Sequence, residues 1–233
     1  MNVCFTVDME QDCPPYRYSW RGLEEGTPRL LALLEEVRVP ATLFTTGEAA
    51  RRYPKTVCAI VAAGHELGCH GDLHRSFATL NEEDAQGEID RATATLRQFY
   101  PVTAFRAPYL KFPRRYLPLL QRAGYRVDSS EAKYKAFRAA VGRVDQITRV
   151  PASVTSSLLR WPAALRNRVL SVLDNPVVLF VHPWEFVDFR HEKLRLDCRF
   201  RTGAEALRGA RETIQFFKDR GAEFVTMRRY AAG

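Results

Sequence analysis

The sequence lacks long apolar runs. It contains no stretch of about 18 consecutive apolar residues, the length that a membrane-spanning helix needs. The chain begins directly with a predicted strand, not with a basic segment followed by an apolar run, so we expect no signal peptide and a cytoplasmic location. A Gly/Ser-rich linker, a block of like charges and an internal repeat are also missing, which favours a single domain over residues 1–233.

The cysteines do not form the pattern of a disulfide framework. There are five of them, an odd number without paired spacing, which is typical of a reducing compartment. Cys4 and Cys69 lie in predicted strands and should be buried thiols. Cys69 adjoins His70 and could ligate a metal, but the alternation of a strand would turn its side chain away.

Two histidines form the most informative motif, His70-Gly71-Asp72-Leu73-His74. At positions i and i+4 of a helical turn, both imidazoles project to one side and can reach one divalent metal. The preceding run, residues 63–69, predicts the end of a helix and a short strand. The pair would then lie at the carboxyl end of a strand, where α/β proteins place their chemistry. The motif alone is equally consistent with a structural role.

Two carboxylates follow the first predicted strand. Apolar residues alternate from Val3 to Val7, and Asp8 and Glu10 share one face while the chain stays extended. One carboxylate on a metal and one free as a base would suit hydrolysis, whereas the alternative is that both cap a loop. Asp12 is a second candidate ligand, although strand geometry favours Glu10 because Asp12 lies nearer the loop.

Three further apolar runs end in polar groups. They contain Arg106 in residues 104–109, Asp128 in residues 124–130 and His182 in residues 177–186. A lone histidine after a buried strand is usually structural, but His182 is one of several strand-end groups. Strand and helix alternate about seven times along the chain, which predicts parallel strands joined by helices. An open sheet and a closed barrel both satisfy this pattern.

Together these residues resemble the motifs of the polysaccharide deacetylase family, also called the NodB-homology family. The resemblance runs from residue 1 to about residue 190 and rests on five motifs in order: Asp8-Met9-Glu10, His70 with His74, Arg106-Ala107-Pro108-Tyr109, Asp128-Ser129-Ser130 and His182-Pro183-Trp184-Glu185. The departure is an acidic motif with one residue between the two acids. The resemblance implies an α/β fold, a distorted (β/α) barrel of about seven strands, with residues 131–175 as a basic, less regular decoration.

The resemblance also implies a metal site. Its ligands would be Glu10, His70 and His74, with zinc as the expected ion and cobalt, nickel or iron as alternatives. Asp8 would act as general base and His182 as the acid that protonates the departing amine. An amine leaves poorly without that proton, so amide hydrolysis needs such an acid more than ester hydrolysis does.

Supporting roles are implied for four more residues. Arg106 would orient the Asp8 carboxylate, and Asp128 would stand beside His182 and stabilise its imidazolium form. The backbone N–H of Tyr109 would stabilise an oxyanion. Tyr109 and Trp184 could also stack on a sugar ring, with the alternative that Trp184 belongs to the core.

We therefore expect a hydrolase of carbon–nitrogen bonds, a metal-dependent deacetylase acting on an N-acetylated amino sugar in a glycan or a phosphate-linked sugar. One alternative is a related enzyme that hydrolyses a formamide or a cyclic ureide. Another is an inactive barrel that binds anionic lipid or nucleic acid, of which nucleic acid is the less expected partner.

The net charge of +8 is unevenly distributed. Between Glu131 and Leu170 the basic residues exceed the acidic ones by six, which indicates an anionic phosphate or membrane partner or simply a solvated basic face. The bases are Lys133, Lys135, Arg138, Arg143, Arg149, Arg160, Arg166 and Arg168.

A predicted helix in the same region carries an apolar stripe. Trp161, Leu165, Val169 and Val172 lie on one side, with Arg166 and Arg168 off it. A basic amphipathic helix with Trp can lie on an anionic membrane surface. The alternative is that the stripe packs on the barrel wall.

Overall fold

A single curled sheet organises the chain. The computed structural model describes residues 1–135 and 139–233. Within these residues the strand order is β6-β7-β5-β4-β3-β2-β1-β8, with β9 paired to the start of β1. All neighbours are parallel except β6 and β7. The strands are β1 (Asn2–Met9), β2 (Ala41–Thr45), β3 (Glu66–Cys69), β4 (Ala104–Phe105), β5 (Val127–Asp128), β6 (Gly142–Val144), β7 (Ile147–Arg149), β8 (Val177–Val181) and β9 (Glu223–Phe224).

Helices cover the outer face of this sheet, and the predicted distorted (β/α) barrel is confirmed. The helices are α1 (Thr27–Glu36), α2 (Gly47–Arg52), α3 (Pro54–Ala62), α4 (Glu82–Leu96), α5 (Leu117–Arg122), α6 (Ala163–Leu170), α7 (Leu196–Arg199), α8 (Ala204–Lys218) and α9 (Met227–Ala232). In the part of the chain that the structure describes, none of them has the length and apolar character of a membrane span.

The alternation of β1 separates two layers of core. Val3, Phe5 and Val7 face outwards and pack with the buried side of α1 and α8. Cys4 faces inwards, in an interior cluster with residues from other strands. Asp8 has the same parity as Cys4, so it also projects to the interior, at the carboxyl end of the strand. The buried thiols predicted for Cys4 and Cys69 are confirmed.

A narrow seam closes the barrel. The backbone N–H of Ser153 donates to the carbonyl of Val178 at 2.9 Å, and the N–H of Val178 donates to Oγ of Ser153 at 2.9 Å. These bonds join β8 to the segment after β7. On its other side β8 pairs with β1 over the whole register from Val3 to Val7. β8 is therefore joined to the barrel by a full strand pairing with β1 on one side and by the two hydrogen bonds of Ser153 and Val178 on the other.

The residues after β2 form α2, because Oγ1 of Thr46 caps its first turn by accepting the N–H of Ala49 at 3.1 Å. One region differs from the predictions. The region predicted to decorate the barrel contributes a strand to it, since β7 pairs with β5. Short strands of two or three residues carry little periodicity, so the sequence pattern does not reveal them.

Candidate active site

A cleft of about 470 Å³ opens at the carboxyl ends of the central strands. Glu10, His70 and His182 follow the last residues of β1, β3 and β8 almost directly and line this cleft. Parallel strands bring their carboxyl ends to one edge, so residues far apart in sequence meet there. The strand-end placement expected from the sequence is therefore what the structure has.

Glu10, His70 and His74 form a cluster suited to a divalent metal. One ligand atom from each lies within 4.8 Å of the others. Oε2 of Glu10 is 3.1 Å from Nε2 of His70 and 2.5 Å from Nε2 of His74. Nδ1 of His70 is 2.7 Å from the carbonyl oxygen of Arg106, which can only accept, so Nδ1 donates to it and Nε2 is the nitrogen that faces Glu10. Two imidazole nitrogens and one carboxylate oxygen are a donor set that zinc accepts.

The charge of Glu10 is favoured by its neighbours. Burial alone would raise the pKa of this carboxyl, but the adjacent His74, His70 and His182 lower it overall. A carboxylate held ionised beside two imidazoles is ready to ligate a cation.

The two histidines meet through a loop and not through a helical turn, so that prediction is wrong. Residues 70–74 are irregular, with Gly71 at φ +76° and His74 at φ +56°. The left-handed residues reverse the chain and return the second imidazole to the first. The rings have centroids 5.3 Å apart.

Asp12, the second candidate ligand, has a structural role. Its buried carboxylate accepts the backbone N–H groups of Arg21 and Gly22, at 2.9 and 2.8 Å, and the hydroxyl of Ser19. It therefore holds the π-helical turn Gly22–Gly26 that leads into α1. Glu10 is the acid that lies against the histidines.

Asp8 and Arg106 form a buried ion pair. Nη1 of Arg106 lies 2.7 Å from Oδ1 of Asp8, and among the described residues only Arg106 hydrogen-bonds this carboxylate. The guanidinium is fully buried, lies 4.3 Å from the centroid of the Phe44 ring, and also donates to Oγ1 of Thr6 and Oγ of Ser129. It is thus fixed in place, and it fixes Asp8 at the floor of the cleft.

His182 has a different partner from the one expected. Oε1 of Glu185 lies 2.9 Å from Nδ1 of His182, and Oε2 of Glu185 lies 2.8 Å from Nε of the buried Arg160. Burial would lower the pKa of His182, but its bond to Glu185 and the charges of Glu10, Glu185 and Asp8 raise it to about 9. Nε2 faces the cluster, 3.7 Å from Oε1 of Glu10.

The expectation that Asp128 stands beside His182 is wrong. Asp128 accepts from Nε of Arg149 at 2.9 Å and from the backbone N–H of Ser130 at 3.1 Å. Arg149 belongs to β7, the strand hidden in the region taken for a decoration. Arg149 on that strand supplies the positive charge that pairs with Asp128. Asp128 therefore links β5 to β7 and is not the partner of His182.

Tyr109 and Trp184 border the cleft in unlike ways. Tyr109 is partly exposed, has φ +61°, and packs edge-on against His74 with ring centroids 4.8 Å apart. Trp184 is only 6 % exposed and stacks on His182 at 5.0 Å. This arrangement favours the alternative that Trp184 belongs to the core, where it backs the imidazole.

Sequence reasoning missed Glu185 and Arg160 as functional residues. The signal for Glu185 was its position three residues after His182, the spacing of a capping box, and both reciprocal bonds of that box are present. Arg160 had no signal, because its contact spans 25 positions of irregular chain. Tyr16, Tyr134 and Lys135 also line the cleft.

The basic region is less basic at the surface than its composition indicates. Arg149, Arg160 and Arg166 are buried and paired with acids, Arg166 with Glu212 at 2.9 Å. Arg138 lies outside the described residues. The exposed cations of the region are Lys135, Arg143 and Arg168 among those that the structure describes.

Comparison with known proteins now decides the family. The family model described as polysaccharide deacetylase matches residues 5–127, more than half of the chain. The chain belongs to the polysaccharide deacetylase family. A peptidoglycan deacetylase of Helicobacter pylori is 30 % identical over 115 residues, which are 47 % of this chain and 39 % of that protein. A chitooligosaccharide deacetylase of Sinorhizobium fredii is 35 % identical over 86 residues, 36 % of this chain and 40 % of that protein.

These matches span about two fifths of the length of each relative. A structural comparison extends over the whole fold. The crystal structure of a putative polysaccharide deacetylase from Mycobacterium smegmatis superposes with a TM-score of 0.72 at 22 % identity, covering 99 % of this chain and 88 % of that one. At that identity the likeness establishes the fold alone.

Proposed function

We propose that this member of the polysaccharide deacetylase family is a metal-dependent hydrolase that removes the N-acetyl group from an amino sugar. The observation that carries the proposal is the convergence of Glu10, His70 and His74 with Asp8 and His182 around one cleft. The two relatives named above are described as a peptidoglycan deacetylase and a chitooligosaccharide deacetylase, which supports this substrate class.

Each residue of the cluster has its own role in the proposed amide hydrolysis. Glu10, His70 and His74 would hold a divalent ion, which when bound polarises the amide carbonyl and lowers the pKa of a water molecule. Asp8 accepts the proton of the attacking water at its carboxylate, which Arg106 keeps in position. The backbone N–H of Tyr109 is the donor proposed for the developing oxyanion.

His182 completes the reaction as the acid. Its Nδ1 is engaged by Glu185, so Nε2 is the nitrogen that can deliver a proton to the departing amine. With a pKa of about 9, the imidazole is largely protonated near neutral pH in the metal-free protein. An amine needs such a donor before it can leave, which favours an amide substrate over an ester.

The test begins with metal and turnover in one preparation. The proposal expects one divalent ion per chain by mass spectrometry and release of acetate from N-acetylhexosamine oligomers, both lost on treatment with a chelator. Metal binding without acetate release from any N-acetylated sugar would leave the formamide and cyclic ureide alternatives, which the same assay with N-formyl sugars and ureides separates. A folded protein that binds no metal would contradict the proposal and leave the inactive barrel or a metal-independent hydrolase of a formamide or cyclic ureide.

A phosphate-bearing substrate is the finer proposal. Lys135 lines the cleft wall, donates to the carbonyl of Tyr109 at 2.9 Å, and is exposed to an incoming anion. An N-acetylated sugar linked to phosphate should be turned over faster than a neutral oligomer, and salt should reduce the preference by screening the charge. Lys135→Gln should remove most of the preference. Equal, salt-independent turnover of both substrates would overturn it.

A membrane contact is proposed for exposed apolar residues on α6 and directly beside its two ends. Trp161, Leu165 and Val172 are 39 %, 57 % and 75 % exposed, so the alternative that they pack on the barrel wall is wrong for these three residues. Val169 is the exception, since it packs against the core. Arg168 is exposed nearby and supplies a positive charge. Cosedimentation with anionic but not with zwitterionic vesicles, weakened in Trp161→Ser/Leu165→Ser, would support the contact. No binding to either vesicle would overturn it.

A further inference from the structure

The loop between the two metal-site histidines is held from two sides. On one side, the N–H groups of Gly47 and Glu48, in the first turn of α2, donate to the carbonyls of Gly71 and Asp72 at 3.0 Å each. On the other side, Oε2 of Glu88 accepts the N–H of Asp72 at 3.1 Å and that of Leu73 at 3.0 Å. The backbone between His70 and His74 is therefore fixed by four hydrogen bonds to two helices.

Glu88 is an unusual residue for its place. It lies in the middle of α4, and its side chain is fully buried. A buried carboxylate is costly unless it is paired and hydrogen-bonded, and an apolar residue of similar size would fill the space at no such cost. Its second oxygen, Oε1, faces Arg91 at 3.4 Å and Arg75 at 4.0 Å, which offsets the charge.

Arg91, together with Arg51, also holds the loop's own side chain. The buried Asp72 carboxylate accepts from Nη1 of Arg51 at 2.7 Å and from Nε of Arg91 at 3.2 Å. Arg91 thus bridges Asp72 and Glu88. Removing Glu88 would leave the N–H groups of Asp72 and Leu73 without this acceptor and Arg91 with one acid less.

The conformation that Glu88 holds is a demanding one. Gly71 and His74 both have positive φ, and a left-handed backbone at a non-glycine residue persists only where the surroundings determine it. The reversed chain is what brings Nε2 of His74 to the carboxylate of Glu10. If the loop could relax, Nε2 of His74 would no longer be held beside the carboxylate of Glu10.

We propose that Glu88 is a positioning residue that presets the spacing of His70 and His74 before a metal binds. This inference rests on the metal site of the proposed function, because its consequence is a high affinity for the ion. Glu88 itself touches neither the ion site nor the substrate cleft. It acts through the backbone of Asp72 and Leu73.

The experiment compares Glu88→Gln and Glu88→Ala with Glu83→Gln, a matched substitution at an exposed position of the same helix. Zinc affinity is measured by competition with a chromophoric chelator, and the cobalt-substituted proteins are compared by their visible spectra. A residue that orients metal ligands typically changes metal affinity by about 10–100-fold. We expect a loss of that size and an altered cobalt spectrum in both Glu88 variants, with Glu83→Gln unchanged.

A second measurement covers the case in which Glu88→Ala does not fold. In the metal-free wild-type protein, the amides of Asp72 and Leu73 should exchange hydrogen as slowly as the buried amides of α4, and faster in Glu88→Gln. Rapid exchange of these two amides in the folded wild type would overturn the proposal, as would wild-type zinc affinity in a folded Glu88 variant. If the wild type bound no metal at all, the proposed function would fail, while the exchange rates would still report on Glu88.

Discussion

Glu185 contacts both the imidazole and the backbone nitrogen of His182. Its Oε1 lies 2.9 Å from Nδ1 of the imidazole and 3.0 Å from the backbone nitrogen of the same residue. Oε2 is paired with Arg160, which is anchored in turn to the carbonyls of Phe200 and Asp197. The acid of the proposed reaction is therefore oriented by its own helical turn, through a carboxylate that cannot rotate away.

The first prediction concerns the pH dependence of turnover. In the proposed reaction His182 must be protonated, so the rate should fall as pH rises through its pKa, about 9 in the metal-free protein. A bound cation would offset the negative charge of Glu10 and so move the alkaline limb of the pH profile to lower pH. Glu185 raises the pKa of His182 with or without the cation. Glu185→Gln should therefore move the alkaline limb of kcat/KM to lower pH, by about 1–3 pH units. An unmoved limb in this variant would remove Glu185 from the mechanism.

Asp128→Asn is the matched control for that experiment. Asp128 is paired with Arg149 and does not contact His182, so its loss should lower stability and leave the alkaline limb in place. Burial raises the pKa of Asp128 although Arg149 opposes this effect. If Asp128→Asn moved the alkaline limb and Glu185→Gln did not, Asp128 would be the partner of His182, as the family resemblance implied.

The second prediction separates the two candidate acidic ligands. Glu10→Gln should weaken metal binding by more than tenfold, because it removes the anionic member of the ligand cluster. Asp12→Asn should bind metal normally but melt at a lower temperature, because it weakens the hydrogen bonds that hold the turn before α1. Metal content and thermal melting of both variants make the comparison. The reverse pattern of metal loss would show Asp12 to be the ligand.

The third prediction concerns the base. Asp8→Asn keeps the shape of the side chain but cannot accept a proton, so metal content should stay at one ion per chain while kcat falls by about 10²–10⁴-fold. Single-turnover rates with loaded enzyme give the measurement. Turnover close to that of the wild type would exclude Asp8 as the base.

The fourth prediction concerns stability. Arg106→Met leaves the Asp8 carboxylate buried without its partner, which should cost about 3–5 kcal/mol in the free energy of unfolding. Urea unfolding of the metal-free protein measures it. Arg211→Met removes an exposed pair with Glu36 and should change the unfolding free energy little. Similar losses of unfolding free energy in both variants would mean that the buried pair of Arg106 and Asp8 stabilises the fold no more than the exposed pair of Arg211 and Glu36.

The sequence predicted which candidate residues lie at strand ends. Strand alternation indicated Asp8, the end of an apolar run indicated His182, and the motif shared with His74 indicated His70; parallel strands bring those ends together. Arg106 was found through the family motif, and its contact with Asp8 has the expected partner. The barrel itself could not be distinguished from an open sheet by periodicity.

Contacts that depend on irregular chain could not be predicted. The reversal at His74 needs a left-handed residue that is not glycine, for which the sequence has no signal. The partner of Asp128 was missed because β7 is three residues long. Arg166 was expected on the surface, yet the chain turns it inwards to Glu212, because a long side chain can reach a distant acid that no local pattern reveals.

The seam beside β8 separates two walls of the cleft. The proposed metal ligands, base and acid lie on or shortly after β3, β1 and β8, which with β2 form one continuous run of the sheet. The opposite wall, which includes Tyr134 and residues 155–157, hangs on the far side of the Ser153–Val178 contact. A shift of the opposite wall at this seam would therefore leave the distances among the proposed reacting groups unchanged.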